Sequence, residues 1–185
     1  MDIDIDLADR SVLLRQIDHR VAALETGKKH NSGVYATEIP HNPVDNVATI
    51  DYKTAHNRGY FKIDFLNVSI YQDIKDEEHL VDLMNKEPMW ELLEHAEFVN
   101  KVFHLSGHSD VTQAMKPRTI TQLAAVLAMI RPAKRYLIGK HWETVLEEIW
   151  VKPSTSDYYW KKSHAFSYAV AVVVHANLLC EQISS

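Results

Sequence analysis

Cys180 is the only cysteine in the chain. An internal disulfide is therefore excluded, and so is any metal centre built on clustered thiolates. The pattern fits a reducing, cytoplasmic setting. Glycine and proline are scarce too, at 5 and 6 residues in 185, which argues against a loop-rich or low-complexity protein. No basic, apolar leader opens the sequence, whose first residues are acidic. No uninterrupted apolar run reaches the length that a bilayer requires. The nearest candidate, Ala165 to Cys180, is broken by Ser167, His175 and Asn177, so no membrane association is expected.

What is present is a core and an uneven charge. Hydrophobic residues make up 46% of the chain, enough for one medium domain or two small ones. The formal net charge of -5 does not advertise a nucleic-acid binder. Its distribution is less plain. From Val111 to Val170, bases that include Lys116, Arg131, Lys134 and Lys162 outnumber the acids Glu143, Glu147, Glu148 and Asp157. Two ordinary solvated surfaces would give the same pattern.

The opening MDIDIDL alternates Asp2, Asp4 and Asp6 with Ile3, Ile5 and Leu7, which is strand periodicity. The aspartates would share one face and the apolar residues would face a core. In SVLLRQIDHRVAALETG, the residues Leu13, Leu14, Ile17, Val21 and Leu24 predict a helix, with Ser11 as N-cap and Gly27 as the stop. Gly33 to Ile39, Val47 to Tyr52 and Gly59 to Leu66 read as strands. After about Asp73 the spacing becomes helical, including Tyr136 to Trp150 and a long final helix within the stretch from Asp157 to the end. The first third is thus mixed and the remainder mostly helical.

Aspartates on one strand face, joined by a third on a neighbouring strand, can hold divalent cations, which favour oxygen ligands. Asp64 is such a third carboxylate, and Lys62 precedes it on the same face. Alternating aspartates also keep exposed edge strands soluble, so spacing alone leaves both readings open.

Several segments, in order, resemble the C family of bacterial replicative DNA polymerases, the DNA polymerase III alpha subunits. MDIDIDL is similar to the family's Pro-Asp-x-Asp-x-Asp-Phe strand. KHNSGV (Lys29 to Val34) is similar to its Lys-His-Ala-Gly-Gly-Val, and FKIDFLN to its Val-Lys-Phe-Asp-Phe-Leu-Gly. VFHLSG (Val102 to Gly107) stands where the family has Val-Phe-Gln-Leu-Glu-Ser. LAAVLAMIRPAK ends like the helix that runs into Arg-Pro-Gly-Pro, and WKKSHAFSYA resembles Phe-Asn-Lys-Ser-His-x-x-x-Tyr-Ala.

The resemblance implies an α+β protein. A polymerase-beta-like nucleotidyltransferase palm, a small mixed sheet with helices, would occupy residues 1–74. A mostly helical fingers-like region, residues 75–185, would pack with it as one unit. Asp4, Asp6 and Asp64 would be the catalytic carboxylates holding two Mg²⁺ or Mn²⁺ ions, with Asp2 less directly involved. Lys29, His30, Lys62, Arg131, Lys162, Ser163 and His164 would meet the nucleotide or phosphate. DNA and deoxynucleoside triphosphates would be the partners.

The departures are large. The family's thumb would be reduced to the one helix around Leu13 to Leu24, and its phosphatase-like domain and clamp-binding parts would be missing. A second copy or a replication protein would have to supply the thumb. So compact a replication-like chain points to a phage or other mobile element. Three functions follow: a minimal polymerase-like nucleotidyltransferase, an inactive module that binds nucleic acid, nucleotide or a replication protein, or an enzyme acting on a free nucleotide.

Individual residues also have plainer roles. His30 could order a loop, Lys29 could be a solvated charge after a helix, Arg131 could end a helix, Lys162 could be surface charge and Ser163 an N-cap. Trp90, Trp142, Trp150 and Trp160 read as packing residues. His104 and His108 lack the spacing of metal ligands.

Overall fold

The structure, a computed structural model, describes residues 3–184; Asp2 lies outside the described residues. The protein is mixed α/β and divides into two compact units, Met1–Asp73 and Ile74–Ser185.

The first unit is a six-stranded mixed sheet of order β1-β6-β3-β2-β5-β4. Its strands are β1 (Ile3–Leu7), β2 (Arg20–Ala23), β3 (Lys29–Tyr35), β4 (His41–Asn42), β5 (Val47–Asp51) and β6 (Ile63–Asn67). β1 runs parallel to β6 and β2 parallel to β5, while the remaining neighbours are antiparallel. Ala22, Tyr35, Ile39, Ala48 and Ala55 form a buried cluster of this unit.

Short helices α1 (Arg10–Leu14) and α2 (Tyr52–Asn57) complete the unit, and each is fixed by an aspartate cap. Asp9 accepts from the Ser11 amide, and Asp51 accepts from the amides of Lys53 and Thr54. Those bonds satisfy amides that a helix start leaves unpaired.

The helix expected over Leu13 to Leu24 is not formed. α1 ends at Leu14, its cap is Asp9 rather than Ser11, and Arg20–Ala23 is a strand between β3 and β5. Ala22 and Ala23 are both buried, as residues of a strand covered on both faces are. Gly27 ends no helix. It turns the β2–β3 connection at φ 76, where its amide donates to the Leu24 carbonyl.

β3 begins at Lys29 and stops at Tyr35, earlier at both ends than the apolar pattern suggests. The strand read up to Tyr52 ends at Asp51, because that aspartate caps α2. Ile3 and Ile5 do not face a core either: they are 41% and 36% exposed. β1 is the outer strand of the sheet, so its partner lies on one side only.

The second unit holds helices α3 (Glu77–Asn85), α4 (Ala96–Val99), α5 (Ser109–Met115), α6 (Ile120–Met129), α7 (Trp142–Glu148) and α8 (Lys162–Ser184), with 3-10 turns between them. α6 is its axis: every residue from Leu123 to Met129 is buried. α8 packs along α6 and α3. The expected helix from Tyr136 to Trp150 is divided, since Gly139 takes φ 82 between a 3-10 turn (Pro132–Leu137) and α7. Lys134, 2% exposed, donates from Nζ to the Glu148 and Val151 carbonyls at 2.7 Å each, closing the end of α7.

α8 is the one helix, among the described residues, long and apolar enough to cross a membrane by length and composition, and half of its apolar window is buried inside the protein. Two of its polar interruptions have local roles. Asn177 donates to the Leu83 and Lys86 carbonyls at the end of α3, and His175 accepts the Phe103 amide at 2.9 Å.

Candidate functional site

In the first unit the chemistry gathers where β1, β6 and β3 lie side by side. Asp4 and Asp64 are register partners on the parallel strands β1 and β6. Parallel partners project to the same face, and Asp6 follows Asp4 on that face. On the other side of β6, Gly33 is the register partner of Asp64. The sequence brings these together because β6 is flanked by both strands, and Arg10 secures the arrangement. Its amide donates to Asn67 Oδ1 at 2.8 Å, and its guanidinium donates to the carbonyls of Phe65 and Asn31.

Asp64 is 7% exposed and Lys62 8% exposed. Lys62 Nζ pairs with Asp64 Oδ2, and Ser32 Oγ donates to Oδ1 at 2.7 Å. Both carboxylate oxygens therefore have partners, as a buried charge requires. His30 Nδ1 lies 3.6 Å from Oδ1, but it accepts the Gly33 and Ser32 amides at 2.9 and 3.3 Å. His30 thus orders a turn at Asp64. It sits in β3, not in a loop after a helix.

Gly33 makes the space. A Cβ there would lie 2.7 Å from Lys62 Cδ, 3.0 Å from His30 Nδ1 and 3.2 Å from Asp64 Oδ1. Asp4 and Asp6 are exposed at the sheet edge. Tyr71, in the 3-10 turn Ser69–Asp73, has its phenol pushed up by burial and then by the charge of Asp6.

Asp4, Asp6 and Asp64 are oxygen donors of the type a divalent ion takes, and Asp4 and Asp64 are register partners. Mg²⁺ uses one or two carboxylates and keeps several waters. A closed cage is not formed: among the described residues no group of three or more His, Cys, Asp or Glu side chains is drawn together. Lys29 does not join Asp64; its Nζ donates to the Asp45 carbonyl at 3.4 Å.

In the second unit Arg131, past the end of α6, lays its guanidinium on Trp160, with Cζ 3.9 Å from the ring centroid. Around this pair stand His104, His164 and Tyr168, with ring separations between 4.4 and 5.4 Å. Burial lowers the Arg131 pKa, and the offsetting groups are the phenols of Tyr158 and Tyr168 rather than a carboxylate. Its Nε is buried without a hydrogen-bond partner among the described residues. His104 adopts φ 59, and burial, then Arg131 and His164, lower its pKa to about 4, so it is neutral at pH 7.

Of the residues expected at the phosphates, Arg131 and His164 come together here. Lys162 and Ser163 lie exposed in the first turn of α8. Ser163 is inside that helix, where its carbonyl accepts from Ser167 Oγ at 3.1 Å, and is not its cap. Ser32, Gly33, His104, Trp160 and Tyr168 belong to these two clusters, although the sequence alone does not single them out as site residues. Ser32 and Gly33 do lie in KHNSGV, beside residues that it does. No protein-family model matches the chain, and no curated protein matches it either.

Proposed function

We propose that the chain is a metal-dependent nucleotidyltransferase that adds nucleotides to a DNA end, with a polymerase-beta-like palm and a helical fingers-like region. In this reading it is a minimal relative of the C-family DNA polymerases that works in the cytoplasm of a bacterial cell. The observation that carries the proposal is the register of Asp4 with Asp64 on adjacent strands, with Asp6 next on the same face.

Asp4, Asp6 and Asp64 would hold the two Mg²⁺ or Mn²⁺ ions, which supply charge neutralisation and activate the attacking hydroxyl. The chain's own residues do the rest. Ser32 and Gly33 fix where Asp64 points, and Lys62 provides a positive charge beside it. Within the second unit, Arg131 over the Trp160 ring and His164 beside it would be that unit's own groups for a phosphate. Deoxynucleoside triphosphates and DNA are the substrates, and the thumb comes from a second copy or a replication protein.

Primer extension with labelled deoxynucleotides and Mg²⁺ or Mn²⁺ tests this. Extension is expected, and Asp4→Ala and Asp64→Ala are each expected to abolish it. Absence of extension by the folded wild-type protein would overturn the reading.

One observation favours a second reading, a non-catalytic module that binds nucleic acid or nucleotide: both Asp64 oxygens are already engaged within the protein. That reading expects unchanged binding, without turnover, in the Asp4→Ala/Asp64→Ala double variant.

A further inference from the structure

We infer that Lys62 is an internal counter-cation of Asp64, which a divalent ion must displace in order to bind at Asp4 and Asp64. The inference rests on the reading of those two aspartates as metal ligands, and it adds how that site is held before metal arrives.

Three features of the site carry it. The first is competition for atoms. Lys62 Nζ sits on Asp64 Oδ2, and Ser32 occupies Oδ1, so an ion bound by Asp64 meets an oxygen already taken. Of the two partners, only Lys62 carries charge, and only its loss leaves the buried carboxylate in need of another cation.

The second is the slot. The Lys62 stem passes over Gly33 so closely that a Cβ there would lie 2.7 Å from its Cδ. The backbone is open at the place where the lysine folds down onto Asp64. The third is reach. Lys62 precedes β6, so its backbone is outside the β6 ladder, and a long unbranched side chain can swing from the slot without breaking a strand bond. Once displaced, the ammonium stands next to the ion site, where a phosphate group would be its natural partner.

The exchange gives Asp64 a cation in both states. Without metal, Asp4 and Asp64 would otherwise be two negative charges on neighbouring strands, one of them buried. Lys62 removes that repulsion and lowers metal affinity in return.

Two measurements on the full chain test it. The first is Mn²⁺ binding followed by loss of the free-ion paramagnetic resonance signal. Lys62→Gln, which keeps a donor and removes the charge, is expected to bind Mn²⁺ about tenfold more tightly than wild type, the size of effect one paired charge commonly has. Lys62→Arg is expected to stay within about threefold, since it restores the charge.

The second needs no variant and decides the matter if Lys62→Gln fails to fold. Amine-reactive labelling is read by mass spectrometry with and without Mn²⁺. Labelling of Lys62 is expected to rise several-fold with metal, while the buried Lys134 stays constant as the internal reference. Mn²⁺ binding with equal affinity in wild type and Lys62→Gln, and unchanged Lys62 labelling, would overturn the exchange and leave the metal reading standing. No Mn²⁺ binding by either protein would overturn both.

Discussion

Lys62 in the first unit, which is buried, and Arg131 in the second, which is partly buried, are held in opposite ways. In the first, Lys62 is held by a carboxylate, Asp64, whose own place is set by strand register. In the second, Arg131 is held by the face of an indole and no carboxylate takes part. An ion pair is strong but demanding, because each partner is costly without the other. A cation on a ring is weaker but leaves the edge of the guanidinium available to an incoming anion. On the proposed reading, the first unit would exchange a cation and the second would receive an anion.

This contrast can be broken experimentally, and the chain helps: all 4 tryptophans lie after Asp73, so tryptophan fluorescence follows the second unit alone. The largest expected effect is Asp64→Ala, which leaves Lys62 without its carboxylate, so that it must sit unpaired or abandon its slot, and should destabilise the first unit by about 2–4 kcal/mol. Urea unfolding followed by far-ultraviolet circular dichroism should show the loss. Lys62→Met/Asp64→Leu, which removes both charges, should recover most of it. Failure to recover would mean that the stranded lysine is not the main source of the loss.

Gly33→Ala comes next. The added methyl must push the Lys62 stem or the His30 ring, at about 1–3 kcal/mol. Arg131→Gln should cost the second unit about 0.5–2 kcal/mol, the range of a partly buried cation on a ring. A larger loss of fluorescence-detected stability would reveal a partner of Arg131 other than the indole.

The mildest test is a pH profile. Protonation of His104 is disfavoured in the folded protein, so the unfolded chain takes up that proton first. The stability contributed by neutral His104 is complete above its ordinary pKa of 6.5 and falls as pH drops toward about 4. His104→Asn keeps a side chain suited to the left-handed backbone at φ 59 and should flatten the profile in that window. A profile identical to wild type would assign the acid sensitivity elsewhere.

The contrast also explains what can be read from the sequence. β1 is legible because alternation is local, and Lys62 beside Asp64 is legible because they stand two residues apart, although β6 begins only at Ile63, after Lys62. The order of the elements, strands first and helices after, follows from periodicity in the same way. β2 is not legible. Val21, Ala22 and Ala23 make a strand only because β3 and β5 flank them, while Leu13, Leu14 and Ile17 lend the same stretch a helical spacing. The exposure of Ile3 and Ile5 is hidden for a similar reason, since alternation does not say whether a strand lies inside a sheet or at its edge. His104 has no metal-ligand spacing to mark it. Its place depends on Arg131, Trp160 and Tyr168, which are remote in the chain and near only after folding. Ser32 and Gly33 escape notice because a hydroxyl and a missing side chain carry no charge.

The position of β1 has a consequence in time. It is the first strand in chain order and it pairs with the last, so its partner does not exist until every other strand of the sheet has been made. Long-range parallel pairing of this kind is slow, because the entropy of closing the intervening chain is lost before any contact compensates it. The sheet from β6 to β4 can assemble while β1 is still unpaired, with Lys62 already holding Asp64. The topology therefore permits the carboxylate face to be completed last, with Asp4 joining an Asp64 already paired with Lys62.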